Sequence, residues 1–181
     1  MISLIFFLAC ALAVLGIGGL AALSDFRGMK IPNVYSVLIG GAFVLCFGGL
    51  SVFGGGTVFA PLLSHVIGFA VVFVLTLIMF FTRVWGAGDQ KLMSAFALWM
   101  GIGGMLPFLV YTALIGGVLG LVALFLQRFK PVAAPAEGAW VALVQGGEGK
   151  VPYGIAIFGG AVLAFLKLGY FSSDAFRILL S

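Results

Sequence analysis

An all-α, polytopic membrane fold with about six transmembrane helices is predicted by three features of this 181-residue sequence. Some 64% of the residues are apolar, only 8% are charged, and the mean hydropathy is +1.32. An ordinary soluble domain carries roughly 25% charged residues, so a water-soluble globule is excluded, and so is a disordered chain. About 116 apolar residues, at roughly 20 per crossing, are material for five or six spans. The net charge of +4, spread over such a protein, reports topology rather than a phosphate-binding surface, and no nucleic-acid partner is expected.

The first span is read over Ile2–Leu23. No Lys or Arg precedes it, and a secretory signal needs a basic start, so it is expected to be retained rather than cleaved. The polar segment Ser24–Asn33 follows. The next uncharged stretch, Ile31–Thr82, is too long for one helix. The break Gly54-Gly55-Gly56-Thr57 divides it into spans near Val34–Phe53 and Phe59–Phe81. After Arg83–Lys91 comes a second uncharged stretch, with Gly101, Gly103, Gly104 and Pro107 marking its turn. The fourth span is therefore short, about Asp89–Leu106, and the fifth covers Pro107–Leu126. A loop over residues 127–151, rich in Ala, Gly, Pro and Glu, leads to a sixth span over Pro152–Phe171. The whole chain, 1–181, reads as a single integral-membrane domain.

Orientation follows from the basic residues. Arg27, Lys30, Arg83, Lys91, Arg128, Lys130 and Lys150, seven of the nine, fall in the loops after spans one, three and five. The positive-inside rule places those loops, including 127–151, in the cytoplasm and both termini on the periplasmic side. Lys167 near the outer end of span six is expected to snorkel to the interface. Of the 28 glycines, pairs such as Gly116 with Gly120, and Gly160 with Ala164, read as small-residue helix packing. Cys10 and Cys46 lie in apolar runs with no CxxC pair and no nearby His, which supports neither a zinc site nor a disulfide framework. His65 reads as a buried or interfacial hydrogen bonder.

Acidic residues are costly in a membrane and therefore informative. Asp174 sits in the tail, and Glu137 and Glu148 in the large loop, where water solvates them. Asp25 closes span one and Asp89 opens span four, both at the cytoplasmic ends of their helices. A capping role accounts for Asp89 taken alone, but Gly86-Ala87-Gly88 ahead of it allows a tight bend and close approach of another chain. Two carboxyls brought together at a partly dehydrated interface do not both ionise easily. The ionised one takes a proton from water while the protonated one polarises a carbonyl. A metal site is less well supported, because no third hard ligand lies in these segments and Arg27, Lys30 and Lys91 are close. No serine-hydrolase elbow, HExxH helix or phosphate loop is present. An ion- or proton-coupled transporter and a noncatalytic pilus or secretion assembly subunit remain open as alternatives; the first predicts inverted repeats and mid-bilayer acids.

The segment Asp25-Phe26-Arg27-Gly28-Met29-Lys30-Ile31-Pro32-Asn33 resembles the DxRxxxIPN signature of type IV prepilin leader peptidases. Gly86-Ala87-Gly88-Asp89-Gln90-Lys91-Leu92 resembles their GxGD box, and Pro152-Tyr153-Gly154 an element that opens their last helix. The resemblance covers nearly the whole chain in order and spacing, with Gln90 a departure from the apolar residue of many relatives. It implies a GxGD-type aspartic peptidase in the bacterial inner membrane that removes prepilin or pseudopilin leaders at the cytoplasmic face. Asp25 and Asp89 match the catalytic aspartates. Arg27, Lys30, Pro32, Asn33, Gly86, Gly88 and Lys91 match the residues around them, the glycines letting a substrate strand approach and the basic residues pairing with carboxylates or lipid phosphates. No cofactor and no metal are expected. Larger members carry an N-terminal region with two CxxC pairs that accompanies methyltransferase activity. Without that region, the expectation is the compact, peptidase-only branch serving Flp or tight-adherence pili.

Overall fold

In an apolar solvent the backbone N–H and C=O groups have no partners but one another, and long runs without charge satisfy them as helices. The computed structural model describes residues 1–53, 58–83 and 85–180. Its helices are α1 (Ile2–Gly28), α2 (Asn33–Phe53), α3 (Leu62–Phe81), α4 (Ala87–Phe129), α5 (Trp140–Gln145), α6 (Tyr153–Lys167) and α7 (Ser173–Leu180). There is no strand among the described residues. Four of these helices, α1 to α4, are long and apolar enough to cross a membrane, and α6 is a shorter apolar helix. The break expected at Gly54–Thr57 lies outside the described residues.

The largest departure from the sequence expectation is α4. Its backbone is non-helical at Gly101 (φ 58°, ψ −172°), and there the chain reverses. Phe96 and Phe108 have ring centroids 6.3 Å apart, whereas twelve residues of continuous helix would separate them by about 18 Å. In the second arm, Gly104 faces Leu168, Thr112 faces Gly160 and Gly116 faces Tyr153, so this arm runs antiparallel to α6. The first arm runs parallel to α6, with Trp99 beside Phe165 (5.8 Å). The turn is thus at Gly101 rather than at Leu106–Pro107, and Pro107 lies inside the second arm. The first arm is correspondingly short, roughly 21 Å at about 1.5 Å per residue, less than the ~30 Å of a hydrocarbon core.

Three side chains from elsewhere in the fold explain why the turn is there. Reversal at Gly101 frees the groups that an uninterrupted helix would have paired. The Ile102 N–H donates to Ser64 Oγ (3.0 Å), the Leu98 carbonyl accepts from His65 Nδ1 (2.6 Å), and the Trp99 carbonyl accepts from Tyr170 Oη–H (2.6 Å). His65 is therefore the Nδ1–H tautomer, packed among the rings of Phe43, Phe47 and Phe59. Gly101 combines a positive φ with a Cβ position 3.0 Å from Ser64 Oγ. Gly101→Ala is expected to lower stability by about 1–3 kcal/mol. The check is thermal unfolding in detergent beside Gly103→Ala, whose added Cβ meets nothing within 4 Å.

The core runs through α1, the first arm of α4 and α6, with Phe7, Leu92, Phe96, Trp99, Ile157 and Phe165 all fully buried or nearly so. Small residues set the closest approach: Gly160 lies on Thr112, and Gly116 on Tyr153 and Ala156, while Gly120 meets nothing. The expected Gly116–Gly120 pairing is thus used only at Gly116: the close contacts are Gly116 with Ala156 and Thr112 with Gly160, across the second arm and α6. Cys10 and Cys46 are free thiols. The sixth helix ends at Lys167 rather than Phe171. Beyond it Tyr170 turns back into the core, and α7 carries an exposed Asp174–Arg177 pair (3.7 Å).

Candidate active site

Asp25 lies in the last turn of α1, which continues to Gly28, beyond the apolar run that ends at Leu23. Met29 closes the helix in a left-handed conformation, its N–H donating to the Asp25 carbonyl (2.8 Å). Ser24 Oγ donates to the Lys30 carbonyl (2.8 Å) and folds the following segment back. This delivers Ile31 to a wedge between the starts of α4 and α6: its atoms are the nearest neighbours of Gly88 and lie against Gly154. Pro32 then precedes α2.

Asp89 is the third residue of α4, whose N-cap is Gly86. The helix thus begins two residues earlier than the sequence indicated. The carboxylate reaches back so that the Gly86 N–H donates to Asp89 Oδ2 (3.2 Å), the acidic half of a capping box. Capping uses one oxygen only. Asp89 Oδ1 is shielded from solvent and has no hydrogen-bond partner among the described residues. Buried polar atoms are rarely left so, and exceptions cluster where chemistry is done.

The two carboxyls share two adjoining cavities, one of about 1030 Å³ and one of about 580 Å³, both lined by Asp25, Asp89 and Gly86. They lie within electrostatic range of each other. Asp25 is only 5% exposed, and its Oδ2 accepts the N–H of Gly154 at 2.8 Å. A Cβ on Gly154 would stand 3.0 Å from Asp25 Cβ and 3.1 Å from Oδ2, so glycine is what lets α6 start against this carboxylate. Neither carboxylate is in an ion pair among the described residues.

Most of the residues singled out from sequence converge here. Lys30, Pro32, Asn33, Gly86, Gly88 and Lys91 line the smaller cavity with the two carboxyls. Lys91 Nζ donates to Asn33 Oδ1 (3.0 Å), tying the start of α2 to α4 instead of neutralising a carboxylate. Arg27 is exposed and lines neither cavity. At the two glycines, a Cβ on Gly88 would meet Ile31, and one on Gly86 would meet Asp89 Oδ2. In the Cβ direction each therefore abuts this chain's own atoms, while Gly86 itself remains exposed.

Several contributors were not singled out beforehand. Gly154 is one as a site residue; its sequence signal was the resemblance of Pro152-Tyr153-Gly154 to the element that opens the family's last helix. Trp85 and Tyr153, 5.3 Å between ring centroids, wall the larger cavity together with Arg83. The loop after α4 supplies a further part of the wall through Gly149, Lys150 and Val151, and the end of α3 another through Phe80 and Phe81. The loop is a folded element. Trp140 packs on Phe26 (5.9 Å) and donates Nε1–H to the Lys150 carbonyl (2.8 Å), and the Gln145 amide pairs with both backbone groups of Val132. Lys150 is held by Glu148 (2.7 Å). Among the described residues no three His, Cys, Asp or Glu side chains come together; beside the two carboxyls, Lys30, Arg83, Lys91 and Lys150 line the cavities.

Residues 6–121 match the model of the type IV leader peptidase family. That is more than half of the chain and includes both carboxylates. No curated protein and no solved structure matches it.

Proposed function

The chain belongs to the type IV leader peptidase family, a membrane-embedded protease class acting on prepilins, and from that premise we propose that Asp25 and Asp89 form its catalytic dyad. The observation that carries this reading is one cavity floored by two carboxyls, one with an oxygen that nothing among the described residues satisfies. The positive-inside bias supports an active site at the cytoplasmic face of the bacterial inner membrane, with both termini periplasmic.

The pair holds one proton between its members, because adjacent carboxylates resist double ionisation. The ionised member takes a proton from a water molecule as its oxygen adds to the scissile carbonyl carbon. The protonated member gives its proton to the carbonyl oxygen. The tetrahedral intermediate collapses by breaking the C–N bond, and the amine leaves with a proton returned from the dyad. Gly154 N–H holds the Asp25 carboxylate in register, and the Gly86 N–H does the same for Asp89. Both enzyme and precursor are anchored in the bilayer, which orients the peptide and reduces the entropy lost on encounter.

The substrates in this reading are Flp-type prepilins or pseudopilins, the activity is peptidase only, and residues 1–181 act as one integral-membrane domain. The test is incubation of the purified protein in lipid vesicles with candidate precursors and S-adenosylmethionine, followed by mass measurement of the product. The expected product lacks the leader and carries no added methyl group. An intact precursor in every case would overturn the assignment.

A further inference from the structure

We propose that a lateral groove between α2 and α3 seats the apolar helix that follows the scissile bond of the precursor. This rests on the reading of the site as a leader peptidase. The two helices have no Cα atoms within 8 Å of each other among the described residues. Their side chains meet toward the Gly101 end, where Phe43 lies beside His65 (5.0 Å). Toward the Asp89 end they stand apart, leaving a groove of about 410 Å³ whose floor is the first arm of α4. Val37 and Gly40 form one wall, Phe69 and Phe73 the other, and Ala95 and Leu98 the floor.

Continuity with the site identifies the occupant. Asn33 and Lys91, joined by their hydrogen bond, line both this groove and the smaller cavity that holds Asp25 and Asp89. A polypeptide lying across the carboxyls therefore passes this pair directly into the groove. From Lys91 to Leu98 the floor extends about 10 Å, two turns of a helix. Asn33, Ser36, Lys91 and Ser94 are the polar part of the lining and the rest is apolar; Ser94 Oγ–H donates to the Gln90 carbonyl (2.7 Å). Ser36 lines the groove, and its Oγ is shielded from solvent and has no partner among the described residues. A helix that begins just past a cleavage site brings unpaired first-turn N–H groups, and rotation of the Ser36 side chain toward the groove offers one of them an acceptor. An acyl chain has no donor to offer it.

The experiment uses the full chain in vesicles and a precursor, comprising leader, cleavage site and apolar helix, that the wild type cleaves. With p-benzoylphenylalanine in place of Val37 and Asp25→Asn to hold the substrate, irradiation is expected to join position 37 to the first two turns of the precursor's apolar helix. The same probe at Leu114, exposed on the second arm of α4, is expected not to. Separately, Gly40→Leu is expected to raise KM for this precursor about tenfold with a much smaller change in kcat. Folding should be undisturbed, since a Cβ there meets only Leu98 Cδ1 at 3.7 Å. Cleavage by the wild type combined with lipid-only adducts at position 37, or an unmoved KM in Gly40→Leu, overturns the groove assignment alone. Failure of the wild type to release a leader from any precursor overturns the proposed function, and the groove assignment falls with it.

Discussion

Asp89→Asn, and separately Asp25→Asn, will reduce leader removal by about 10⁴-fold while leaving the protein folded and inserted. The expectation rests on what each substitution removes. Asparagine keeps the shape of the side chain and one acceptor oxygen, so Asp25→Asn still takes the Gly154 N–H and Asp89→Asn still takes the Gly86 N–H. Each variant should therefore unfold within about 1 kcal/mol of the wild type. What is lost is the shared proton: an amide neither accepts one from water nor donates one to the carbonyl. Because the two groups act as a unit, the double variant should be no slower than the worse single one. The measurement is the rate at which precursor mass shifts to product mass, with circular dichroism in detergent as the control for folding. Wild-type processing by either variant would end the dyad assignment.

Gly154→Ala will cost about 10²-fold in kcat although it removes no ionisable group. Gly154 is the second residue of α6, where alanine is the better helix former. A purely local account therefore predicts a neutral or slightly stabilised protein. The tertiary contacts predict the opposite for activity. The added methyl would stand 3.0 Å from Asp25 Cβ, 3.1 Å from its Oδ2 and 3.2 Å from Ile31 Cδ1. Backbone on one side and the Ile31 wedge on the other leave the carboxylate as the group that shifts. The informative result is a kcat loss larger than any KM change, at nearly unchanged thermal stability. Gly120→Ala, which meets nothing within 4 Å, is the matched control and should process precursor within about twofold of wild type. Equal rates for the two variants would show that Gly154 does not position Asp25.

The candidate pair was legible because acids are scarce in so apolar a chain and because Asp25 and Asp89 stand at helix ends on one side of the topology. Gly154 was legible only as part of Pro152-Tyr153-Gly154, the opening of the last helix; its contact with Asp25 exists only once α6 begins beside the end of α1. Arg27 lies two residues from Asp25 yet outside the cavities, since a helix turns about 100° per residue and carries i and i+2 to different faces. The cavity wall at Gly149–Val151 was hidden in a segment whose composition reads as a loop. Its fold depends on Trp140 finding Phe26 on α1, more than a hundred residues away in the chain.

The sequence by itself determined that the protein is a membrane-embedded bundle of apolar helices, because hydropathy adds up locally, residue by residue. It also placed the two carboxylates at the ends of their helices, since charge in an apolar chain is confined to such positions. The tertiary structure alone decided where α4 reverses. Any of Gly101, Gly103, Gly104 or Pro107 breaks a helix, but reversal strands backbone donors and acceptors that lipid does not satisfy. Only at Gly101 do Ser64, His65 and Tyr170 supply the missing partners. That choice shortens the first arm and sets the depth at which Asp89 meets Asp25.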